Sequence, residues 1–166
     1  MTLKNLTMPE LMRYKTSTGS ILSSLAHTLL KGPSGLSHTD REMIAAYVSS
    51  LNECEYCFNS HASKVNDHLN DEGKTMTCIV ENMSGSSVTE KMKSLLIIAN
   101  KVQQSGKLVT IDDIEAAKKN GASNEDIHDT VIISAAFCMF NRYIDGLSKN
   151  SSLINQLPEM RANTRP

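Results

Sequence analysis

The chain has 166 residues, with 17 Lys and Arg against 18 Asp and Glu, 40% hydrophobic residues, four cysteines and no tryptophan. That length suits one domain able to bury roughly 70% of its unfolded surface, and the near-neutral charge excludes a disordered polyelectrolyte and the basic footprint of a nucleic-acid binder. No apolar run approaches the ~20 residues that span a bilayer, the opening MTLKNLTMPE lacks the apolar core of a secretory signal, and four thiols are too sparse for a secreted disulfide scaffold. The expectation is a soluble cytoplasmic domain without nucleic-acid or membrane partners.

In chain order, the patterning is helical almost throughout. Between Leu11 and Leu30 the residues Ile21, Leu22, Leu25 and Leu29 keep helical spacing, and Lys31-Gly32-Pro33-Ser34-Gly35 ends the run. Ser37 or Thr39 caps the next helix, with Asp40 and Glu42 near its start and Met43, Ile44, Tyr47, Val48 and Leu51 on its apolar face. Asn52 and Glu53 break the chain before a helix carrying Cys54, Cys57, His61, Val65 and Leu69. A short element follows over 75–80, then a loop at 84–87. Thr89 caps a helix containing Met92, Leu95, Leu96, Ala99 and Val102, and Ser105-Gly106 closes it. Thr110 opens a short helix to Asn120, and Gly121 sits where a left-handed cap is expected. Ser123 and Asp126 have the form of a capping box for a long apolar helix that ends near Gly146. The expected fold is all-α, a single-domain bundle of six to eight helices over 1–166, with its core at about 9–150 and a frayed tail at 158–166.

Cys54 and Cys57 form a C-x-x-C pair, which in a reducing compartment points to redox chemistry or metal binding. Advancing about 100° per residue from Cys54 at zero puts Cys57 near 300° and His61 near 340°, so all three share a helix face. Cys57 and His61 are four residues apart, which brings the imidazole within reach of that sulfur. Cys54 falls in the first turn, where backbone N–H groups favour a thiolate. A thiolate attacks a peroxide O–O bond to give a sulfenic acid, and a second thiol condenses with it to a disulfide. His61 is placed to deliver the proton that the leaving oxygen needs. Glu42, on the preceding helix, would fix the His61 tautomer if the two helices pack side by side.

The pattern of Glu42, eleven residues, Cys54-Glu55-Tyr56-Cys57, three residues and His61 resembles the alkylhydroperoxidase D and carboxymuconolactone decarboxylase superfamily. Gly32-Pro33-Ser34, Leu36-Ser37, Arg41-Glu42 and Ile44-Ala45 look like its peroxidase-related branch, as does Phe140-Asn141-Arg142-Tyr143-Ile144-Asp145-Gly146-Leu147. The resemblance spans roughly residues 30–70 and 137–147. It implies an all-helical fold and a homo-oligomer, either a trimer or a hexamer built from dimers. It implies that Cys57 is the peroxidatic nucleophile, Cys54 its resolving partner, and His61 with Glu42 the proton relay. The activity it implies is a thiol-dependent peroxidase without metal or other cofactor, reducing small hydroperoxides at the expense of an external thiol or dithiol. The helix dipole favours Cys54 as the more acidic thiol, whereas the spacing to His61 favours Cys57; the assignment follows His61. Well-studied alkylhydroperoxidases have His where this chain has Tyr56, a poor base at neutral pH. Tyr56 is therefore expected to give a hydrogen bond at most, and the relay is thinner.

Two other readings stand beside this one. Cys54, Cys57 and His61 with His68 or Cys78 would complete a four-ligand zinc set in a structural helical oligomer, although four ligands on one helix face splay along ~20 Å of axis. A non-redox superfamily member acting on a lactone or other carboxylated molecule would not need the cysteines. Cys78 and Cys138 read as packing residues and the nine methionines as core filler. His27, His38 and His128 receive no role. Arg142 and Asp145 read as an ion pair or a subunit contact. The pairs Lys91/Lys93 and Lys118/Lys119 read as solvated faces.

Overall fold

The computed structural model describes residues 7–148, so the expected frayed tail at 158–166 lies outside the described residues. Eight α-helices follow one another: α1 Met8–Tyr14, α2 Thr16–Lys31, α3 His38–Leu51, α4 Glu55–Leu69, α5 Lys74–Asn82, α6 Glu90–Gln104, α7 Ile111–Lys119 and α8 Asn124–Leu147. Short 3-10 turns at Met83–Gly85 and Gly106–Leu108 flank α6. There is no strand among the described residues, and the all-α expectation holds.

Local chemistry sets most boundaries. The Ser37 hydroxyl accepts from the Asp40 N–H at 3.1 Å while Asp40 accepts from the Ser37 N–H at 3.1 Å, a reciprocal cap that starts α3. The same device at Thr110–Asp113 and Ser123–Asp126 starts α7 and α8. Gly121, at φ 93°, turns the chain between them, as its position suggested.

One helix is placed differently from expectation. The stretch 11–30 is two helices, because the backbone leaves helical geometry at Lys15 (φ −128°, ψ 90°). α1 then folds back onto α2, and the approach is close enough that a Cβ at Gly19 would lie 1.7 Å from the Met12 carbonyl oxygen. No Pro or Gly marks the break; packing decides it.

α3 is the central helix. Met43, Ile44, Ala45, Ala46, Tyr47, Val48 and Ser49 form an unbroken buried run, packed against α4, α6 and α8. A helix covered on all sides by neighbours reads as apolar around its circumference rather than along a stripe. Its first turns are tied to α2 by Arg41, whose guanidinium donates to the carbonyls of Leu29 (3.2 Å) and Gly32 (2.8 Å). That guanidinium satisfies the carbonyl end of α2, which the helix itself leaves unpaired.

The turn from α3 to α4 is fastened by side chains from distant helices. Glu53 takes a left-handed φ of 57°, and the Cys54 N–H donates to the Ser49 carbonyl at 3.0 Å. The Asn52 amide donates to Asn141 Oδ1 on α8 (2.8 Å) and accepts from Gln103 Nε2 on α6 (2.9 Å). Asn141, fully buried, donates in turn to Ser49 Oγ (3.1 Å). Cys138 packs beside this chain of amides, as expected of a buried thiol.

Three surface readings are corrected. Lys91 is not simply solvated, since its ammonium pairs with the buried Asp126 carboxylate at 2.7 Å. Lys93 caps the Ser84 carbonyl and pairs with Glu90. Arg142 donates to the Cys138 carbonyl and makes no ion pair with Asp145, which is turned toward Cys54 instead.

Because the contact at Gly19 is between backbones, Gly19→Ala must push α1 off α2. Overpacking of this kind costs on the order of 1–3 kcal/mol. Thermal denaturation of the variant should show a midpoint lowered by several degrees, and a midpoint equal to wild type would contradict the close approach.

Candidate active site

α3 and α4 lie side by side, so the spacing argument becomes a contact. Glu42 is 1% exposed in the second turn of α3, and its Oε2 lies 2.5 Å from His61 Nδ1 on α4. The other oxygen, Oε1, accepts from Lys64 Nζ at 3.1 Å and lies 3.5 Å from His38 Nε2. A carboxylate on Nδ1 makes that nitrogen the donor and leaves Nε2 as the ring atom available for proton transfer. The imidazole is held from a second direction by Phe137 of α8, edge to face at 4.7 Å between ring centroids.

Lys64 and His38 were missed from the sequence. The signals were present: Lys64 is three residues after His61, and His38 is four residues before Glu42, so each shares a helix face with a relay residue. Burial pushes the Glu42 carboxyl up, but the hydrogen bond and charge of His61 together with those of Lys64 outweigh it. Its pKa is lowered on balance. Glu42 is therefore ionised at neutral pH, and the group contributes stability above the ordinary carboxyl range that is lost as the pH falls through its depressed value.

Cys54 is the N-cap of α4, and Cys57 stands one turn on. Both are reduced and buried, in a small apolar cluster with Leu11 of α1 and Ile144 of α8. The helix-start argument for Cys54 is overturned. The Cys57 N–H does favour its thiolate, but burial outweighs that, and the S–H is held by Cys57 and by the Asp145 carboxylate, so the Cys54 pKa is pushed far up. Cys57 is raised as well, first by burial, with the Asp145 charge adding to it. Its ionised form, however, receives hydrogen bonds from Cys54 and from Asn141. The pair is thus directional, with Cys54 the donor and Cys57 the acceptor.

A cavity of about 270 Å³ opens beside the pair. Cys57, His61, Glu42, Lys64 and Tyr56 line it, whereas Cys54 does not. Its other walls are largely apolar, from Met8 and Met12 on α1, Leu30 on α2, and Phe137 and Phe140 on α8. Tyr56 is half-buried and also borders a second cleft with Glu53, Glu55 and Asp145. Among the described residues no group of three or more His, Cys, Asp or Glu side chains is arranged to hold a metal ion. His68 is exposed, and Cys78 hydrogen-bonds within α5 to the Asn82 carbonyl, so the suggested zinc set is not gathered.

Residues 18–72, which contain Glu42, both cysteines and His61, match the model of the carboxymuconolactone decarboxylase family. No curated protein matches the sequence. An uncharacterized peroxidase-related protein from Silicibacter sp. TM1040 is 25% identical, with a TM-score of 0.75 over 87% of this chain and 76% of that one. An uncharacterized peroxidase-related protein from Ralstonia eutropha JMP134, described as an alkylhydroperoxidase AhpD core, is 23% identical, with a TM-score of 0.75 over 85% and 75% of the two chains. A protein of unknown function from Agrobacterium tumefaciens, whose description also names an AhpD antioxidant defence protein, shares the fold at 18% identity, with a TM-score of 0.71 over 88% and 97%. Over residues 18–72 the chain is thus similar to the carboxymuconolactone decarboxylase family, and its fold is that of the peroxidase-related proteins from Silicibacter and Ralstonia.

Two measurements follow from the site. Iodoacetamide labelling resolved by peptide mass spectrometry should modify Cys57 ahead of Cys54 at every pH, with both rates still climbing above the ordinary thiol range because both thiols are raised. Faster labelling of Cys54 would reverse the donor and acceptor assignment. Lys64→Met removes one of the cations that lower Glu42, so Glu42 should protonate at a higher pH in the variant. An NMR titration of its carboxyl carbon would read that rise, and a fall would contradict the ion pair.

Proposed function

We propose that this protein is a thiol-dependent peroxidase that cycles through a Cys54–Cys57 disulfide. The observation that carries the reading is positional: Cys57 and His61 share the wall of one cavity, while Cys54 sits behind Cys57 with its S–H toward it. The peroxide-related descriptions of the relatives from Silicibacter and Ralstonia support the same reading.

The cycle balances without a metal or an added cofactor. His61 Nε2 takes the Cys57 proton as the sulfur attacks the nearer peroxide oxygen, and returns it to the departing oxygen. A hydroperoxide and the thiol thereby become an alcohol and a Cys57 sulfenic acid. Cys54 then attacks the Cys57 sulfur, expelling water and forming the disulfide. An external dithiol restores both thiols and is itself oxidised to a disulfide. Glu42 keeps His61 in one tautomer and stabilises it when protonated, and Lys64 keeps Glu42 ionised. Tyr56 contributes a hydrogen-bond donor at the cavity wall.

A reductant of this kind fits a reducing cytoplasmic setting, and among the described residues no helix is long and apolar enough to cross a membrane. The homo-oligomer implied by the family resemblance belongs to the same proposal, and light scattering on the purified protein reads its subunit number.

The decisive measurement is dithiol-dependent peroxide consumption. Cys57→Ser should abolish it, at least a hundredfold below wild type. Cys54→Ser should pass through a single turnover and stop as a Cys57 sulfenic acid trappable by dimedone. Full turnover by Cys57→Ser would overturn the reading and leave the non-redox superfamily chemistry, for which the cysteines are dispensable.

A further inference from the structure

The shape and charge of the cavity narrow what enters it. Its volume of about 270 Å³ is roughly nine times the ~30 Å³ that a water molecule occupies in the liquid. Hydrogen peroxide would leave most of it filled with water against Met12, Leu30, Phe137 and Phe140. An apolar body of about ten heavy atoms would displace that water from apolar walls, which is favourable.

The rim adds a sign. Lys31 and Lys64 both line the cavity, and among the described residues Glu42 is the one carboxylate that does. Lys64 is already paired with Glu42. Among the described residues the Lys31 side chain makes no hydrogen bond or ion pair, so one positive charge at the rim is uncompensated. The ordinary explanation of a lysine in the last turn of a helix is that it offsets the carbonyl end. Here that position is already taken by Arg41, which donates to the carbonyls of Leu29 and Gly32. His27, one turn before Lys31 on the same face of α2, lines the cavity too.

We propose that the ligand of this cavity is an amphipathic carboxylate, its apolar body against the α1, α2 and α8 walls and its carboxylate paired with Lys31. Resting on the peroxidase reading, this makes the oxidant an organic hydroperoxide that carries a carboxylate remote from its O–O group. The resting site favours such an anion because both thiols are protonated at neutral pH and Glu42 is neutralised by Lys64.

The test uses two peroxides of one shape, cumene hydroperoxide and its para-carboxylate, on the full chain at low salt. The ratio of kcat/KM, carboxylate over neutral, should be about fivefold or more in wild type. It should fall toward one in Lys31→Gln and below one in Lys31→Glu, and in wild type it should shrink as salt is raised. In parallel, NMR titration of the reduced protein with 4-isopropylbenzoate and 4-isopropylbenzyl alcohol reads binding without turnover. The carboxylate should bind more tightly, with shifts at α2 and α8 that Lys31→Glu suppresses. Equal preference for the two peroxides together with equal binding of the two probes would overturn the carboxylate assignment while leaving the peroxidase standing. Lys31-dependent binding of 4-isopropylbenzoate by a protein that consumes neither peroxide would do the reverse, keeping the ligand class and discarding the oxidant.

Discussion

A carboxylate held at 1% exposure in the middle of a helical core is the constraint on which the rest of the site depends. An isolated ion there would cost many kcal/mol, so Glu42 must either be neutralised or be surrounded by donors. The protein surrounds it with His61 and Lys64 from α4, while His38 Nε2 of its own helix lies 3.5 Å away without a hydrogen bond. Satisfying that charge fixes how α4 lies against α3. A rotation of α4 that moved His61 away would orphan the buried ion, and removing one partner of such a pair costs about 3–5 kcal/mol. Since Cys57 is one turn from His61, the register that satisfies Glu42 is also the one that turns Cys57 to the cavity. Charge satisfaction and site assembly are a single requirement.

The two thiols illustrate how environment overrides position. A cysteine at a helix start is ordinarily the acidic member of a C-x-x-C pair. Here Cys54 is enclosed by Leu11 and Ile144 and faces the Asp145 carboxylate, and both surroundings oppose a negative charge. The same S–H that cannot ionise becomes a donor to Cys57, whose thiolate it favours. Two adjacent thiolates would repel each other, so holding one protonated makes ionisation of the other easier. The asymmetry that spacing to His61 suggested has a second, independent cause in burial.

What the sequence made legible and what it did not divide along physical lines. Helical periodicity and reciprocal caps are local, and the capping boxes of α3, α7 and α8 lie where Ser37, Thr110 and Ser123 suggested. The shared face of Cys54, Cys57 and His61 is likewise a property of one helix. The break at Lys15 was invisible because nothing in the local sequence forbids a continuous helix there; the packing of α1 on α2 across Gly19 produces it. The network joining Asn52 to Asn141, 89 residues apart, has no local signature at all. Lys64 and His38 were overlooked for a different reason. Periodicity says which residues share a face, but not that the face looks onto a buried charge needing more than one donor.

Tyr56 bears on how much catalytic machinery the proposed cycle needs. In the peroxide step, the proton leaving Cys57 and the proton gained by the departing oxygen are equal in number, so a single imidazole moving one proton completes it. Glu42 occupies Nδ1 throughout, which confines that traffic to Nε2 and keeps the ring from rotating between tasks. A second imidazole beside the cysteine would add no term to the balance; it would only offer a parallel route. The phenol at that position instead lines the wall between the apolar cavity and the cleft bordered by Glu53, Glu55 and Asp145. It separates a cavity with an uncompensated lysine from a cleft bordered by carboxylates. An anionic ligand is therefore drawn to the apolar cavity that Cys57 lines rather than to the cleft bordered by carboxylates.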